Sequence, residues 1–325
     1  MVWSDEQFAG WVAEQSGRVE RRLHEAVQTP YSFVEEAARY LIDLGGKRFR
    51  PALVIAGCGL GLADERIDDE GMIRSGVIVE LTHVASLYHD DVMDEATVRR
   101  GAPTAHRRWT NSVAIMVGDF LLAQASQIGA VLGEEFMVYQ AQTLATLVQG
   151  QIAEMRGPGP GVDPITHHLD VINGKTAALI AASARYGGMF ARLDSDQIEA
   201  LTRYGQRLGM AFQLADDLLD IVGHDFGKQP GTDLREGVPT LAPLLIAQAN
   251  RPEDARLLEF LAGPVSEDDI PEALALLRAN PAIREVRAQI QQWSDDAAAQ
   301  LDGFCDDAAT RALRLLCDQA VVRTV

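Results

Sequence analysis

Two copies of one acidic pattern, D-D-x-x-D, constrain this 325-residue chain more than any other feature. One copy covers residues 90–94 and the other covers residues 216–220. On a helix, the first and last aspartates of each copy share a face, where like charges repel by roughly a few tenths of a kcal/mol. A cation between the carboxylates would remove that repulsion, and hard oxygen ligands favour Mg²⁺. We therefore expect two helices that present these carboxylates to Mg²⁺ in the core of a helical bundle.

Helical patterns cover almost the whole chain, and no alternating run of convincing length predicts a strand. Aromatic residues make up 6% of the chain while Ala and Leu abound, which favours helix over sheet. The predicted helices cover 5–26, 31–44, 51–62, 69–94, 111–132, 134–156, 164–186, 194–222, 239–249, 253–262, 267–279, 281–302 and 306–322. Glycine and proline clusters separate them, among them Gly187-Gly188. We expect an all-α fold that forms one large domain over residues 1–325.

Charge, cysteine content and hydropathy exclude several classes of protein. The net charge of −18 argues against nucleic-acid binding, because backbone phosphates would be repelled. The three cysteines show no C-x-x-C spacing, so neither a disulfide framework nor a thiolate metal site is indicated. The first residues lack the basic and apolar regions of a signal peptide, which favours a cytoplasmic protein. The apolar stretch 113–132 is interrupted by Asp119 and two glutamines, which predicts a core helix and not a membrane span.

Basic side chains that could bind an anion accompany the first acidic motif. The segment 45–51 carries Lys47 and Arg50 behind two glycines, which allow the backbone a close approach to a ligand. Arg99 and Arg100 follow the acidic motif in a predicted loop. His83 precedes Asp90 by two helical turns and shares its face. These residues predict a binding site for phosphate groups beside the metal.

A second group of basic residues accompanies the second acidic motif. Lys175 interrupts an apolar helical run, where a lysine is costly unless it has an anionic partner. Lys228 follows the second motif in a glycine-rich loop. Both are therefore candidates for phosphate contacts.

These motifs together resemble those of the trans-isoprenyl diphosphate synthases, also called polyprenyl synthetases, over about residues 40–245. The matching segments are GGKRFRP at 45–51, the stretch 83–101, GDFLLA at 118–123, GKTAALI at 174–180, GMAFQLADDLLDIVG at 209–223 and GKQPGTDLREGVPTL at 227–241. The long-chain bacterial members are the most similar. The resemblance implies an isoprenoid synthase bundle around a deep central cavity, assembled as a homodimer. Residues 250–325 carry no recognisable chemistry and are expected to be packing helices.

The resemblance also implies a role for each motif residue. Asp90, Asp94 and Asp216 would ligate several Mg²⁺ ions that bridge a diphosphate, with Asp91, Asp217 and Asp220 in support. An allylic diphosphate would contact Arg99, Lys175 and Lys228. Isopentenyl diphosphate would contact Lys47, Arg50, His83 and Arg100. Catalytic roles fall to Lys175, Thr176 and Gln213, the last two lining the reacting carbons and stabilising positive charge.

The implied reaction is ionisation of the allylic diphosphate, condensation with isopentenyl diphosphate and loss of a proton, repeated once per isoprene unit. In this family, bulky residues just upstream of the first motif block growth of the product. The small Ala85 and Ser86 therefore imply a long chain, unless a residue such as Phe136 or Met137 forms the floor. A long polyprenyl product is insoluble, so transient membrane contact is expected for its release.

Three other functions stay open on sequence grounds. A shorter-chain synthase of the farnesyl or geranylgeranyl type would carry the same motifs. A terpene cyclase would need no second diphosphate site, and a non-catalytic subunit would usually lose one acidic motif. The chain also departs from the family pattern where Val238 replaces a common lysine and where Ala242 separates Leu241 from Pro243. The missing lysine is expected to weaken loop closure over the diphosphate without abolishing activity.

Overall fold

The computed structural model describes residues 3–64, 66–223 and 230–322 and is almost entirely helical over these ranges, which confirms the all-α prediction. The helices of the first half are α1 (Asp5–Ala26), α2 (Ser32–Asp43), α3 (Phe49–Cys58), α4 (Asp69–Met93), α5 (Ala105–Arg108), α6 (Asn111–Gly129), α7 (Glu134–Arg156) and α8 (Pro164–Ile172). Those of the second half are α9 (Ala178–Phe190), α10 (Ser195–Val222), α11 (Thr232–Glu236), α12 (Leu241–Ala249), α13 (Ala255–Phe260), α14 (Ile270–Ala279), α15 (Ala282–Ala299) and α16 (Ala308–Val322). A π-helical turn, Asn173–Ala177, joins α8 to α9, and 3₁₀ turns cover Gly59–Asp64 and Pro252–Asp254. The only described strands form a two-residue antiparallel hairpin, β1 (Val98–Arg99) and β2 (Ala102–Pro103).

The chain divides into two compact units. The first unit comprises residues 1–144, 182–202 and 304–313, and the second comprises the remaining segments. Each unit carries one of the acidic motifs. The expected single domain over residues 1–325 stays a prediction.

The core of the first unit is built around α4, which packs against α1, α3 and α6. Asp68 caps the start of α4 by accepting a hydrogen bond from the backbone N–H of Gly71 at 3.0 Å. Apolar side chains are buried on several sides of the helix, including Met72, Ile78 and Leu81. A helix whose sides are all apolar is buried in the core. The first acidic motif therefore lies at the C-terminal end of a helix that packing holds in place on several sides.

Helix α6 buries one apolar face and also exposes two large apolar side chains among polar ones. Ala114, Val117 and Leu121 are buried where α6 packs against α4, whereas Met116 is 70% exposed. Among the described helices, α6 alone is long and apolar enough to cross a membrane by length and composition, and 33% of that window is buried. The prediction of a core helix therefore holds for one face of α6.

The two glycines expected to end a helix at residue 186 lie inside α9, so that prediction was wrong. A Cβ atom on Gly187 would lie 2.7 Å from the carbonyl oxygen of Val54 and 2.8 Å from the Cα of Gly57. Helices α3 and α9 thus approach each other too closely for any side chain at this point. The glycines serve helix packing here and do not break the helix.

In the core of the second unit, the C-terminal part of α10 packs against the helices that follow it in the chain. Leu214 and Leu218 of α10 belong to one buried cluster with Leu241 of α12, Leu277 of α14 and Ile290 of α15. Residues beyond 250 therefore supply much of the apolar surface against which the second motif's helix packs.

A buried charge network fixes the loop that precedes α3. Arg48 adopts a left-handed backbone conformation, with φ of 48°, and its guanidinium binds Glu20 at 2.8 Å and Glu80 at 2.9 Å. Glu80 lies on α4 and is 2% exposed. Because a buried carboxylate needs a charged partner, Arg48 serves the fold of this loop and is not available for a ligand.

We predict that Arg48→Met lowers the free energy of unfolding by about 3–5 kcal/mol, because it leaves the buried Glu80 carboxylate without its partner. Chemical denaturation monitored by circular dichroism measures this change. The control is Arg74→Met, which removes a surface pair with Glu70 and should cost less than about 1 kcal/mol. Equal effects of the two substitutions would contradict the role assigned to Arg48.

Candidate active site

The first acidic motif occupies the last turn of α4. The helix ends where Glu95 takes a left-handed conformation, with φ of 51°, and the N–H of Ala96 binds the carbonyl of Asp91 at 3.1 Å. Asp90 is half-buried and Asp94 is exposed. Carboxylates in a last helical turn face the negative end of the helix dipole, which is unfavourable by about 0.3–1 kcal/mol each. The negative charges of this motif are therefore in unfavourable surroundings, and a bound cation would stabilise them.

The β1–β2 hairpin positions the two arginines that follow this motif. Its two-residue loop, Arg100-Gly101, has positive φ at both residues, 53° and 77°, as the common tight hairpin turn requires. Thr104 closes the base of the hairpin, since its hydroxyl donates to the carbonyl of Ala96 at 2.6 Å. The predicted loop is thus a rigid turn that holds Arg99 and Arg100 in place.

Arg99 is anchored by the second aspartate of the motif. Its Nε donates to Oδ1 of Asp91 at 2.5 Å, and the Asp91 side chain is fully buried. Burial raises the pKa of Asp91, and the positive charge of Arg99 opposes that rise. The supporting role expected of Asp91 therefore takes a specific form, which is to orient Arg99.

The residues expected to hold isopentenyl diphosphate form a cationic cluster. Nε of Arg50 is buried and has no hydrogen-bond partner. Arg100 donates through Nη1 to the carbonyl of Leu41 at 3.2 Å. His83 is half-buried, and the charges of Arg50 and Arg100 both act on its imidazole, while Lys47 and Arg100 are exposed. Arg50, His83 and Arg100 are therefore the members of the cluster that the structure connects.

Electrostatics make this cluster a site for an anion. Burial, followed by the charges of Arg50 and Arg100, lowers the pKa of His83 well below its ordinary value, so the imidazole is neutral. Burial also lowers the pKa of Arg50, and attraction from Glu80 only partly opposes this effect. The positive charges of these guanidinium groups are only partly balanced by nearby carboxylates. A bound anion would balance them further and form charge-assisted hydrogen bonds.

Below the first motif, the two small residues differ in accessibility. Ala85 is fully buried, while Ser86 is half-buried and donates its hydroxyl proton to the carbonyl of His83 at 2.8 Å. Phe136 is fully buried and packs on Tyr186 with ring centroids 4.4 Å apart. Of the two small residues, Ser86 has the more open surroundings.

The second acidic motif lies in the last turns of α10. Both carboxylate oxygens of Asp220 accept backbone hydrogen bonds, from Thr232 at 3.1 Å and from Asp233 at 3.0 Å. Asp220 therefore fixes the start of α11 to the end of α10. Lys228, expected to contact the allylic diphosphate, lies outside the described residues.

The π-helical turn between α8 and α9 carries Lys175 and Thr176. A Cβ atom on Gly150 of α7 would lie 2.6 Å from the backbone nitrogen of Lys175, so the two backbones touch at this point. Lys175 Nζ binds Glu154 Oε2 at 2.5 Å. Single π turns inside helices often mark functional sites, because they change the direction of one or two side chains.

Thr176 and Gln213 are in direct contact. The Thr176 hydroxyl donates to Gln213 Oε1 at 2.9 Å, and Gln213 Nε2 donates to Asp217 Oδ1 at 2.8 Å. Asp217 Oδ2 lies 3.6 Å from Nε2 of His168.

Sequence reasoning missed His168 and Glu154. His168 precedes Lys175 by seven residues, the same two-turn spacing that singled out His83 before Asp90, so the spacing could have found it. Nothing in the sequence marked Glu154, whose pairing with Lys175 depends on the fold.

The residues present fit a divalent metal that shares its ligands with a substrate. Among the described residues, no group of three His, Cys, Asp or Glu side chains forms a complete metal site. Mg²⁺ is commonly held by one or two carboxylates together with waters and substrate phosphates. Asp90 and Asp94, four residues apart at the negative end of α4, have the hard oxygen donors for such a site.

Comparison with known proteins identifies the family of this chain. Residues 31–277 match the family model described as polyprenyl synthetase. The nonaprenyl diphosphate synthase of Mycobacterium tuberculosis is 42% identical over 322 residues, which cover 98% of this chain and 95% of the relative.

Two solved structures share the fold over nearly their full length. The geranylgeranyl pyrophosphate synthase of Corynebacterium glutamicum, solved with calcium and isoprenyl diphosphate, is 36% identical with a TM-score of 0.88, covering 100% of this chain and 99% of that one. The decaprenyl diphosphate synthase of Rhodobacter capsulatus is 32% identical with a TM-score of 0.87, covering 99% and 100%. The chain belongs to the polyprenyl synthetase family of prenyl-transferring enzymes.

Proposed function

We propose that this enzyme condenses isopentenyl diphosphate with an allylic diphosphate and repeats the step to make a long-chain all-trans polyprenyl diphosphate. Mg²⁺ is the proposed metal, and the cytoplasm is the proposed compartment. The 42% identity to a nonaprenyl diphosphate synthase supports a long product.

The observation that carries this proposal is the cationic cluster of Arg50, His83 and Arg100. A buried guanidinium nitrogen without a partner costs about 1–3 kcal/mol, so its retention points to a bound anion. In this proposal the cluster binds the second diphosphate, while the acidic motifs serve the allylic one. A terpene cyclase uses a single diphosphate substrate and needs no such site.

Each group then has one task in the reaction. Asp90, Asp94 and Asp216 are the residues proposed to hold Mg²⁺, which would supply positive charge to the oxygens of the departing diphosphate. Arg99, oriented by Asp91, binds the departing diphosphate.

The remaining groups act on the carbon skeleton and on the second substrate. Lys175 contributes a further positive charge to the departing diphosphate. Thr176 and Gln213 stabilise the allylic cation through their oxygen atoms. The cationic cluster orients isopentenyl diphosphate so that its double bond attacks the cation. The departing diphosphate accepts the proton lost in the final step.

Assay of the purified protein with Mg²⁺, isopentenyl diphosphate and farnesyl diphosphate tests the proposal, with products identified by mass spectrometry. Products longer than geranylgeranyl diphosphate are expected. In the same assay, Arg50→Met should raise KM for isopentenyl diphosphate about 10- to 100-fold, the loss expected for one or two hydrogen bonds to a charged group. KM for the allylic substrate should stay within about threefold, since Arg50 belongs to the other site.

Stability separates a binding role of Arg50 from a structural one. Burial disfavours the charge of Arg50, so Arg50→Met should not lower the free energy of unfolding. Arg74→Met serves as the surface control and should leave both KM values unchanged. Cyclised or hydrolysed products without condensation would overturn the proposal in favour of a cyclase, and no turnover would favour a non-catalytic subunit.

Product length should respond to Ser86, because this half-buried residue lies one turn before the first motif. We predict that Ser86→Phe shortens the main product by at least one isoprene unit, since the ring would occupy space used by the growing chain. Ser86→Ala, which removes only the hydroxyl, should leave the distribution unchanged. An unchanged product from an active Ser86→Phe enzyme would place the floor elsewhere, with Phe136 the next residue to test.

We propose that the enzyme is a homodimer and that two adjacent apolar side chains of α6, Ile115 and Met116, lie in its interface. They are 43% and 70% exposed in the single chain. Size-exclusion chromatography with light scattering should give twice the chain mass for the wild type. The double variant Ile115→Asp/Met116→Asp should be monomeric, because it places charge in a desolvated contact. Leu315→Asp, at an exposed leucine of α16, is the matched control, and a monomeric wild type would refute the proposal.

A further inference from the structure

A directional chain of hydrogen bonds connects Asp217 of the second acidic motif, through Gln213, to Thr176 in the π-helical turn. Because a carboxylate only accepts hydrogen bonds, the contact of Asp217 with Gln213 fixes the amide nitrogen of Gln213 on the Asp217 side. The amide oxygen then faces Thr176 and accepts its hydroxyl proton at 2.9 Å. The orientation of Gln213 is thus set by Asp217.

The direction of these hydrogen bonds determines whether Thr176 presents its hydroxyl proton or its lone pairs to a substrate. A hydroxyl has one proton and two lone pairs, and the single proton of Thr176 is committed to Gln213. The lone pairs of Thr176 are therefore the part of the group available for other contacts. An oxygen that presents lone pairs stabilises developing positive charge, as the ionisation of an allylic diphosphate requires.

His168 stands at the other end of this chain. Its Nε2 is buried, has no hydrogen-bond partner and lies 3.6 Å from Asp217 Oδ2. The side chains of His168 and Asp217 are only 12% and 13% exposed. A buried ring nitrogen that faces the second carboxylate oxygen restricts how Asp217 can turn, while the first oxygen binds Gln213.

We propose that His168 is a positioning residue for the condensation reaction. It holds the Asp217 carboxylate so that Gln213 keeps its orientation and Thr176 directs its lone pairs toward the allylic cation. Asp217 accordingly orients these neutral groups, a more specific task than general support of the metal. This inference rests on the proposed function, because it concerns the cation formed in that reaction.

The test compares His168→Leu, His168→Gln and the control His167→Leu, which alters the neighbouring histidine on α8. Steady-state kinetics with both diphosphates saturating should show kcat about tenfold lower for His168→Leu, with both KM values within about threefold. His168→Gln retains a donor and should recover much of kcat. His167→Leu should behave like the wild type.

A double-variant cycle with Asp217→Asn keeps the test decisive if one variant is poorly stable. The asparagine amide can donate, so it allows Gln213 to reverse and should lower kcat at least as much as His168→Leu does. The combined variant should be no slower than Asp217→Asn alone, since His168 acts through Asp217. Thermal unfolding of each variant identifies losses due to folding.

An unchanged kcat for His168→Leu, or additive losses in the double variant, would overturn this inference. A loss that appears only in KM would overturn it as well, because it would assign His168 to substrate binding. Failure of the wild type to condense the two diphosphates would instead refute the proposed function, so the two failures are distinguishable.

Discussion

The repulsion among aspartates at the ends of α4 and α10 is the constraint on which the candidate site depends. Each motif places three carboxylates where the helix dipole is already negative. The supporting aspartates are relieved within the protein, Asp91 by Arg99, Asp217 by Gln213 and Asp220 by backbone N–H groups. Each of these contacts also fixes the orientation of the group that binds the aspartate. The carboxylates that chemistry assigns to metal binding thus stand beside groups already oriented for a diphosphate.

Two arginines at the start of α3 differ in their hydrogen bonding. Arg48, at the N-cap, binds the carboxylates of Glu20 and Glu80, while Nε of Arg50, in the first turn of the helix, has no hydrogen-bond partner. Arg48 also has a left-handed backbone, with φ of 48°, whereas Arg50 is helical. Two arginines only two residues apart can therefore serve the fold in one case and be left for a ligand in the other.

The helices were predictable because apolar spacing reports which face is buried, and most predicted ranges agree with α1 to α16 within a few residues. The residues assigned to metal and phosphate also stood out in the sequence, since charge in apolar surroundings is rare, and their roles stay predictions. The prediction failed at Gly187, where contact with Gly57 of a distant helix overrides the usual effect of glycine. It also missed the π turn, because the close approach of Gly150 to the backbone of Lys175 joins segments far apart in sequence. His168 was overlooked although its two-turn spacing before Lys175 was visible in the sequence.

A diphosphate group and an allylic cation place different physical demands on the protein. The basic residues meet the first demand, and the neutral oxygen atoms of Thr176 and Gln213 meet the second. A diphosphate carries several charges on its oxygens, so arginines and lysines bind it through charge-assisted hydrogen bonds. An allylic cation carries diffuse charge on carbon, and a full negative charge beside it would risk covalent capture. Neutral oxygen atoms avoid that outcome, but they stabilise the cation only if their lone pairs face it. This orientation requires a series of hydrogen bonds in which each donor and each acceptor is fixed. The chain from Thr176 through Gln213 to Asp217 meets this requirement, and its direction depends on a carboxylate that cannot donate.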